Sequence, residues 1–250
     1  MNEEGTFCWA GLATSDPDTA ADFYEGLFGW EADWLGSGGA GTLATLRQHG
    51  EDVAILYRQT EMARAAGAPP HWTSFISVED ADATAAHAAA LGGTAVFREA
   101  FNVLDAGRVA AIRDPTGGNV SLWEPRSRMG AAVVDQVGAM CWNELATTDV
   151  DRAKRFFAEL VGWTYEANDA RYTTIAKAGR RIGGIRRKAE AEKGGEPRWL
   201  TYFMVERADD TIRKAEQLGG QGVEPSAESH IGRSAVIADP QASRFGVLQG

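Results

Sequence analysis

The sequence predicts an α+β fold in which one module, a strand followed by a helix and then further strands, is used four times. Three observations predict it: an internal duplication, hydrophobic spacings that switch between strand and helix, and turn residues at matching places in both copies. Residues 7–33 laid over residues 140–166 share 12 identities in 27 positions, at an offset of 133. Further on the offset becomes 129 (Thr45 to Val53 against Thr174 to Ile182), 127 (Pro70 to Gly93 against Pro197 to Gly220) and 125 (Gly107 to Pro115 against Gly232 to Pro240). Such stepwise change leaves the elements intact and alters only loop lengths. The expected organisation is a first repeat over 1–126, a linker over 127–137 and a second repeat over 138–250.

Within the first copy, residues 7–14 read as a strand. Asp16-Pro17 then starts a helix, because Asp caps free backbone N–H groups and Pro is tolerated in the first turn. Ala20, Phe23, Tyr24, Leu27 and Phe28 recur at spacings of three and four, one helical face, and Gly29 stops the helix. Two strands follow, Thr42 to Gln48 and Asp52 to Tyr57, joined by His49-Gly50-Glu51 as a hairpin turn. Trp72 to Val78 is a strand and Asp80 to Leu91 an Ala-rich helix closed by Gly92-Gly93. Gly107 to Arg113 and Asn119 to Glu124 are strands around an Asp114-Pro-Thr-Gly turn. The second copy repeats this plan from Cys141 to Gln249.

Composition removes several function classes. The 250 residues are 44% hydrophobic and 9% aromatic, enough to bury a core in one pseudo-symmetric domain or two small ones. A formal charge of −10 disfavours a nucleic-acid backbone, which binding proteins neutralise with Lys and Arg. The N-terminus has no basic region followed by an apolar stretch, and no run approaches the roughly 18 apolar residues of a membrane span. A cytoplasmic protein is expected, with no nucleic-acid or membrane partner. Cys8 and Cys141 occupy equivalent positions beside apolar neighbours and read as reduced packing residues.

A strand, Thr-x-Asp, a helix ending Phe-Tyr-x-x-Leu-Phe-Gly-Trp (Phe23 to Trp30, with Phe156 to Trp163 in the second copy) and a closing Asp-Pro-Thr-Gly turn together resemble the vicinal oxygen chelate superfamily. That superfamily includes glyoxalases, extradiol dioxygenases and bleomycin or fosfomycin resistance proteins. The FCW and MCW openings look like those of a two-repeat, glyoxalase-like group of actinobacterial proteins. The resemblance implies paired βαβββ modules, the glyoxalase/bleomycin resistance/dioxygenase fold, with curved mixed sheets around a ligand cavity. It also implies metal-ligand positions at Trp9, Thr73 and Ser121 in the first copy and at Trp142, Leu200 and Gly246 in the second. None is His, Glu, Asp or Cys, and a Trp indole offers only an N–H donor, so no metal and no cofactor are expected.

The four histidines form no spaced pair. His49 lies on a turn, His87 on an Ala-rich helix and His230 in a loop, while His71, just before a strand, has the best claim to a cavity rim. A GxGxxG string at Gly36 to Gly41 is followed by a strand and not a helix, so it reads as a hairpin insert and not a phosphate cradle.

Strand alternation then assigns a pocket lining. If position 9 points inward, Trp9, Phe75, Ser121 and Trp123 line the first copy, and Trp142, Leu200, Tyr202, Met204 and Arg244 the second. This is the apolar, aromatic makeup of a small-molecule site; the alternative is that these side chains fill a core. Glu144 is the one acid predicted to face inward, and its counterpart is Gly11. Without a paired Arg, such as Arg244, its carboxylate becomes a candidate general base, with Tyr202 or His71 assisting. Three functions stay open: a metal-independent binder of a hydrophobic or planar small molecule, a metal-independent isomerase or lyase using Glu144, and a metal-dependent glyoxalase-type lyase or dioxygenase. Either a monomer or a homodimer is compatible with a duplicated chain.

Overall fold

The computed structural model of the chain describes residues 3–35, 42–192 and 194–250, so the GxGxxG string lies outside the described residues. The first repeat runs β1 (Phe7–Thr14), α1 (Pro17–Phe28), β2 (Glu31–Trp34), β3 (Leu43–Gln48), β4 (Glu51–Arg58), α2 (Glu61–Ala65), β5 (His71–Ser77), α3 (Ala81–Ala90), β6 (Thr94–Ala95), β7 (Phe101–Val103), β8 (Gly107–Arg113) and β9 (Asn119–Pro125). The second runs β10 (Met140–Thr147), α4 (Val150–Val161), β11 (Thr164–Ala167), β12 (Tyr172–Lys177), β13 (Arg180–Arg187), a 3₁₀ turn (Glu190–Glu192), β14 (Arg198–Val205), α5 (Ala208–Gln217), β15 (Gln221–Ser229), β16 (Gly232–Ala238) and β17 (Arg244–Gln249). Both sheets are mixed, ordered β2-β3-β4-β1-β5-β9-β8-β6, with β7 also on β8, and β11-β12-β13-β10-β14-β17-β16-β15. The fold is α+β, as expected, and no described helix is long and apolar enough to cross a membrane.

The helix starts and stops are the ones the residues dictate. Asp16 accepts from the Thr19 amide at 3.3 Å and Asp149 from the Arg152 amide at 3.0 Å, each satisfying an N–H that the first turn leaves free. Gly29 and Gly162 end α1 and α4 in the left-handed conformation that favours glycine. The predicted face of α1 is largely inside: Ala20, Phe23, Tyr24 and Leu27 are buried, and Phe28 is half-buried. Cys8 and Cys141 are free thiols, and burial pushes the Cys141 thiol up to about 12, so it behaves as a packing residue.

Contacts divide the chain into two compact units, each drawing on both repeats. The first unit comprises Met1–Cys8, Ser74–Gly130 and Trp142–Leu200; the second comprises Trp9–Thr73, Ala131–Cys141 and Thr201–Gly250. In the second unit, Tyr24, Trp30, Trp72, Phe203 and Phe245 form an aromatic core, with Tyr24 stacked on Trp30 and edge-on to Trp72. In the first unit, Phe157 stacks on Trp163 and meets Trp199 edge-on, and Phe7 touches both tryptophans. Each aromatic pair adds about 0.5–1.5 kcal/mol beyond the area it buries.

The core of the second unit also carries a polar relay. Trp72 Nε1 donates to the Tyr24 hydroxyl at 2.8 Å, and that hydroxyl donates to Asp239 Oδ2 at 3.1 Å. Burial pushes the Asp239 carboxyl above the usual range, opposed by hydrogen bonds from the Ser243 and Gln241 amides and the Tyr24 hydroxyl. Tyr24→Phe therefore strands a donor and an acceptor inside the core. The expected result is a loss of about 1–3 kcal/mol in urea unfolding with an unchanged slope; an unaltered midpoint would show that the relay contributes nothing.

Candidate functional site

Within the first unit, the part of the predicted lining that reaches solvent lies on the face shared by β10, β13 and β12. Trp142 and Glu144 sit two residues apart on β10 and so face the same way. Glu144 is in register with Gly184 on β13, and Gly184 with Thr174 on β12; two residues along, Arg186 is in register with Tyr172. Trp142 is half-buried and donates from Nε1 to the Tyr172 hydroxyl at 2.9 Å. Tyr172 lies directly over Gly184: a Cβ there would overlap the phenol ring, so the close approach requires glycine.

Charge occupies the other end of this face. Arg186 Nε donates to Glu144 Oε1 at 3.1 Å, while Nη1 and Nη2 grip the two oxygens of Glu192 at 2.7 and 3.0 Å. The Glu144 side chain is only 8% exposed and that of Arg186 28%. Glu192 also accepts from the Ala189 amide at 2.8 Å, which ties the 3₁₀ turn to β13. Held by Arg186, the Glu192 carboxyl falls to about 2, and the Arg186 guanidinium is held more firmly protonated, chiefly by its hydrogen bond to Glu192.

The first copy builds the same face from different chemistry. The positions matching Glu144, Arg186, Gly184 and Tyr172 are Gly11, Tyr57, Ile55 and Leu43, all in the second unit. Gly11 pairs with Ile55, and Tyr57 with Leu43, so an apolar patch replaces the ion network. Tyr57 shares a hydrogen bond with Thr73.

The other expected residues fall in several places. Trp9, on β1, is 2% exposed. In the first unit Phe75 is in register with Ser121 and meets Trp123 edge-on at 6.4 Å; all three are buried. The Trp123 indole N–H is spent on the Arg128 carbonyl at 3.0 Å. In this copy the lining is therefore packed away from solvent. Leu200 is buried in the first unit. In the second unit Tyr202 is buried over Gly246, Met204 is half-buried opposite Leu248, Arg244 is exposed at the start of β17, and His71 is exposed at the start of β5, 2.9 Å from the Pro69 carbonyl. Arg186, Tyr172 and Glu192 escaped the sequence reading. Alternation along β13 puts Arg186 and Gly184 on one face, but only the register between strands puts that face beside Glu144.

Donor chemistry decides whether this scaffold suits the divalent ion that the resemblance implies. Trp9, Thr73 and Ser121, with Trp142, Leu200 and Gly246, offer two neutral hydroxyls and no carboxylate, imidazole or thiolate. These residues do not fit such an ion. Among the described residues, one trio of acids lies close enough to share a cation: Asp80, Asp82 and Glu124. Each already serves α3, with Asp80 capping the Ala83 amide, Glu124 accepting from the Ala81 amide, and Asp82 paired with Arg108. The second copy keeps the plan with Arg233 on Asp209 and Gln249 on the Ala208 amide, and puts Arg207 where Asp80 stands. The trio is thus helix-end structure.

Comparisons with known proteins bear on the fold and the repeat. A model of the Glyoxalase/Bleomycin resistance protein/Dioxygenase superfamily matches residues 6–122, and a Glyoxalase-like domain model matches residues 139–248. The chain is 38% identical to "Putative glyoxylase CFP32" of Mycobacterium bovis, covering 98% of this chain and 95% of that one. It is 30% identical to "Anthracycline biosynthesis protein DnrV" of Streptomyces peucetius, covering 98% and 93%. Among solved structures, it resembles the Mn(II)-bound glyoxalase of Novosphingobium aromaticivorans (TM-score 0.65, 14% identity, 99% and 82% covered). It also resembles an extradiol ring-cleaving dioxygenase from B. fuscum (TM-score 0.67, 15% identity, 98% and 72% covered). Similarity to the two actinobacterial proteins over nearly the whole chain, together with a family match in each repeat, places this chain in the glyoxalase/bleomycin resistance protein/dioxygenase superfamily.

Proposed function

We propose that this protein is a cytoplasmic, metal-independent member of its superfamily that binds a hydrophobic, planar small molecule, and that the Trp142–Glu144–Arg186 face of the second repeat is its contact surface. One observation carries the reading: at the positions where the resemblance implies metal ligands, both repeats carry Trp and neither carries an anionic or imidazole donor. The half-buried Trp142, fixed by its bond to Tyr172, offers a rigid ring for stacking at about 0.5–1.5 kcal/mol per aromatic pair beyond area burial. Arg186 retains N–H groups beyond the three that hold Glu144 and Glu192, which suits it to a carbonyl or phenol oxygen on the ligand. The name of the relative DnrV adds support, since anthracyclines are planar and polycyclic.

Binding is favoured over general-base catalysis because a charged donor sits on Glu144 Oε1 and competes with the proton that a base must take up. Metal analysis of purified protein, followed by titration with an anthracycline and monitored by tryptophan fluorescence, tests the reading. The expected results are no stoichiometric metal, saturable quenching, and affinity reduced about tenfold to a hundredfold by Trp142→Ala. Glu144→Gln should leave an unchanged ligand as the only product, as with wild type. A retained stoichiometric Zn, Ni or Fe, or turnover lost in Glu144→Gln, would sink it.

The ion network also predicts a pH dependence. Because the folded Glu192 carboxyl lies at about 2 against an ordinary 4.5, its contribution is complete above that ordinary value and is lost as pH falls toward 2. Thermal melts between these limits should fall more steeply for wild type than for Glu192→Gln; parallel slopes would show that solvent screening cancels the pair.

A further inference from the structure

The two units are built on the same plan around their aromatic cores, and at one matched position, Tyr24 against Phe157, they differ by one hydroxyl group. In the second unit the Tyr24 hydroxyl stands between Trp72 Nε1 and Asp239 Oδ2, accepting from the first and donating to the second. The matching residues of the first unit are Phe157, Trp199 and Asp114. Ring geometry is conserved: Tyr24 and Trp72 meet edge-on at 5.3 Å and 87°, Phe157 and Trp199 at 5.6 Å and 84°. Stacking on the helix-terminal tryptophan is conserved too, at 20° for Tyr24 on Trp30 and 25° for Phe157 on Trp163. Around the carboxylate, the turn holding Asp114 abuts the approach to Trp199, with Gly117 against Pro197.

Phe157 has no hydroxyl, and both ends of the relay register the loss. Among the described residues, Trp199 Nε1 and Asp114 Oδ2 are buried without a hydrogen-bond partner. Trp199 is 7% exposed and Asp114 2%. The other Asp114 oxygen is fully engaged, accepting from the Thr116 amide and hydroxyl and the Gly117 amide, and the Gly118 amide also stabilises the carboxylate from beside Oδ2, so the turn itself is intact and Oδ2 keeps an open lone pair. One N–H donor and one carboxylate oxygen, each buried and each unmatched, call for a group that accepts once and donates once. Leaving both unmatched in the interior is costly, because each loses its hydration without a replacement.

We infer that the first unit contains a binding site for a single water molecule between Trp199 Nε1 and Asp114 Oδ2, where it takes over the role that the Tyr24 hydroxyl has in the second unit. Water supplies the missing acceptor and donor without a side chain, and two polar partners are the minimum that holds one in a protein interior.

Phe157→Tyr supplies the same hydroxyl covalently and displaces the water. Its thermal midpoint should rise by about 2–4 °C, and the rise should shrink in a Trp199→Phe background. A wild-type crystal structure that resolves ordered solvent should show one water hydrogen-bonded to both atoms, absent from Phe157→Tyr. A lowered midpoint, a gain indifferent to Trp199→Phe, or a wild-type map in which both atoms are dry would overturn the inference. If the variant does not fold, the wild-type map decides alone.

Discussion

Each unit depends on one buried hydrogen bond from a tryptophan to a glycine carbonyl of the other repeat. Trp30 Nε1 donates to the Gly138 carbonyl at 2.7 Å, and Trp163 Nε1 donates to the Gly5 carbonyl at 2.6 Å. Trp30 and Trp163 are equivalent residues, and so are Gly5 and Gly138, so the exchange is reciprocal. A buried indole N–H is costly to leave unmet, and the carbonyl it finds comes from just before the first strand of the other copy. Around that bond the aromatic core of each unit assembles: Tyr24, Trp72 and Phe203 around Trp30, and Phe7, Phe157 and Trp199 around Trp163. The strand faces that carry Trp142 and Glu144, or Trp9 and Gly11, extend from these anchored first strands.

On this shared frame the copies keep several helix-end devices and differ in the chemistry of their strand faces. The Asp16 and Asp149 caps, the Gly29 and Gly162 stops and the Arg108–Asp82 and Arg233–Asp209 pairs occur in both copies. By contrast, Gly11 and Tyr57 in one copy stand where Glu144 and Arg186 stand in the other. An ion pair with a carboxylate this buried is seldom a net source of stability, because desolvation offsets much of the attraction. Its presence in one copy alone fits a role in recognition better than a role in folding.

The repeat, the caps and the hydrophobic periods are legible because they are local: Asp16-Pro17, Gly29 and the Ala20–Phe23–Leu27 face each act within a turn or two. Elements with weak local signals were not. β2 is short and alternates between exposed and half-buried residues, and α2 buries no residue at all and depends on the Thr60 cap. At the site, Glu144 and Trp142 could be placed by alternation along one strand. Arg186 and Tyr172 could not, since their meeting with β10 is set by register across three strands, including a bulge at Ile175/Ala176. Alternation also cannot tell an open face from a filled one. The same period places Trp123, which is packed over Gly107, and Trp142, which is half-open.

The composition of the units has a consequence for how such a chain can change. Each hydrophobic interior is bounded by one module from each repeat, so part of α4 packs on the first repeat: Phe156 packs at Gly93, just as Phe23 packs at Gly220. Deleting either repeat would remove half of both interiors and leave neither closed. The duplication is therefore no longer a pair of spare copies. It has become a mutual dependency, in which compensating substitutions are to be sought between the copies, more than a hundred residues apart in the chain, as well as within one of them.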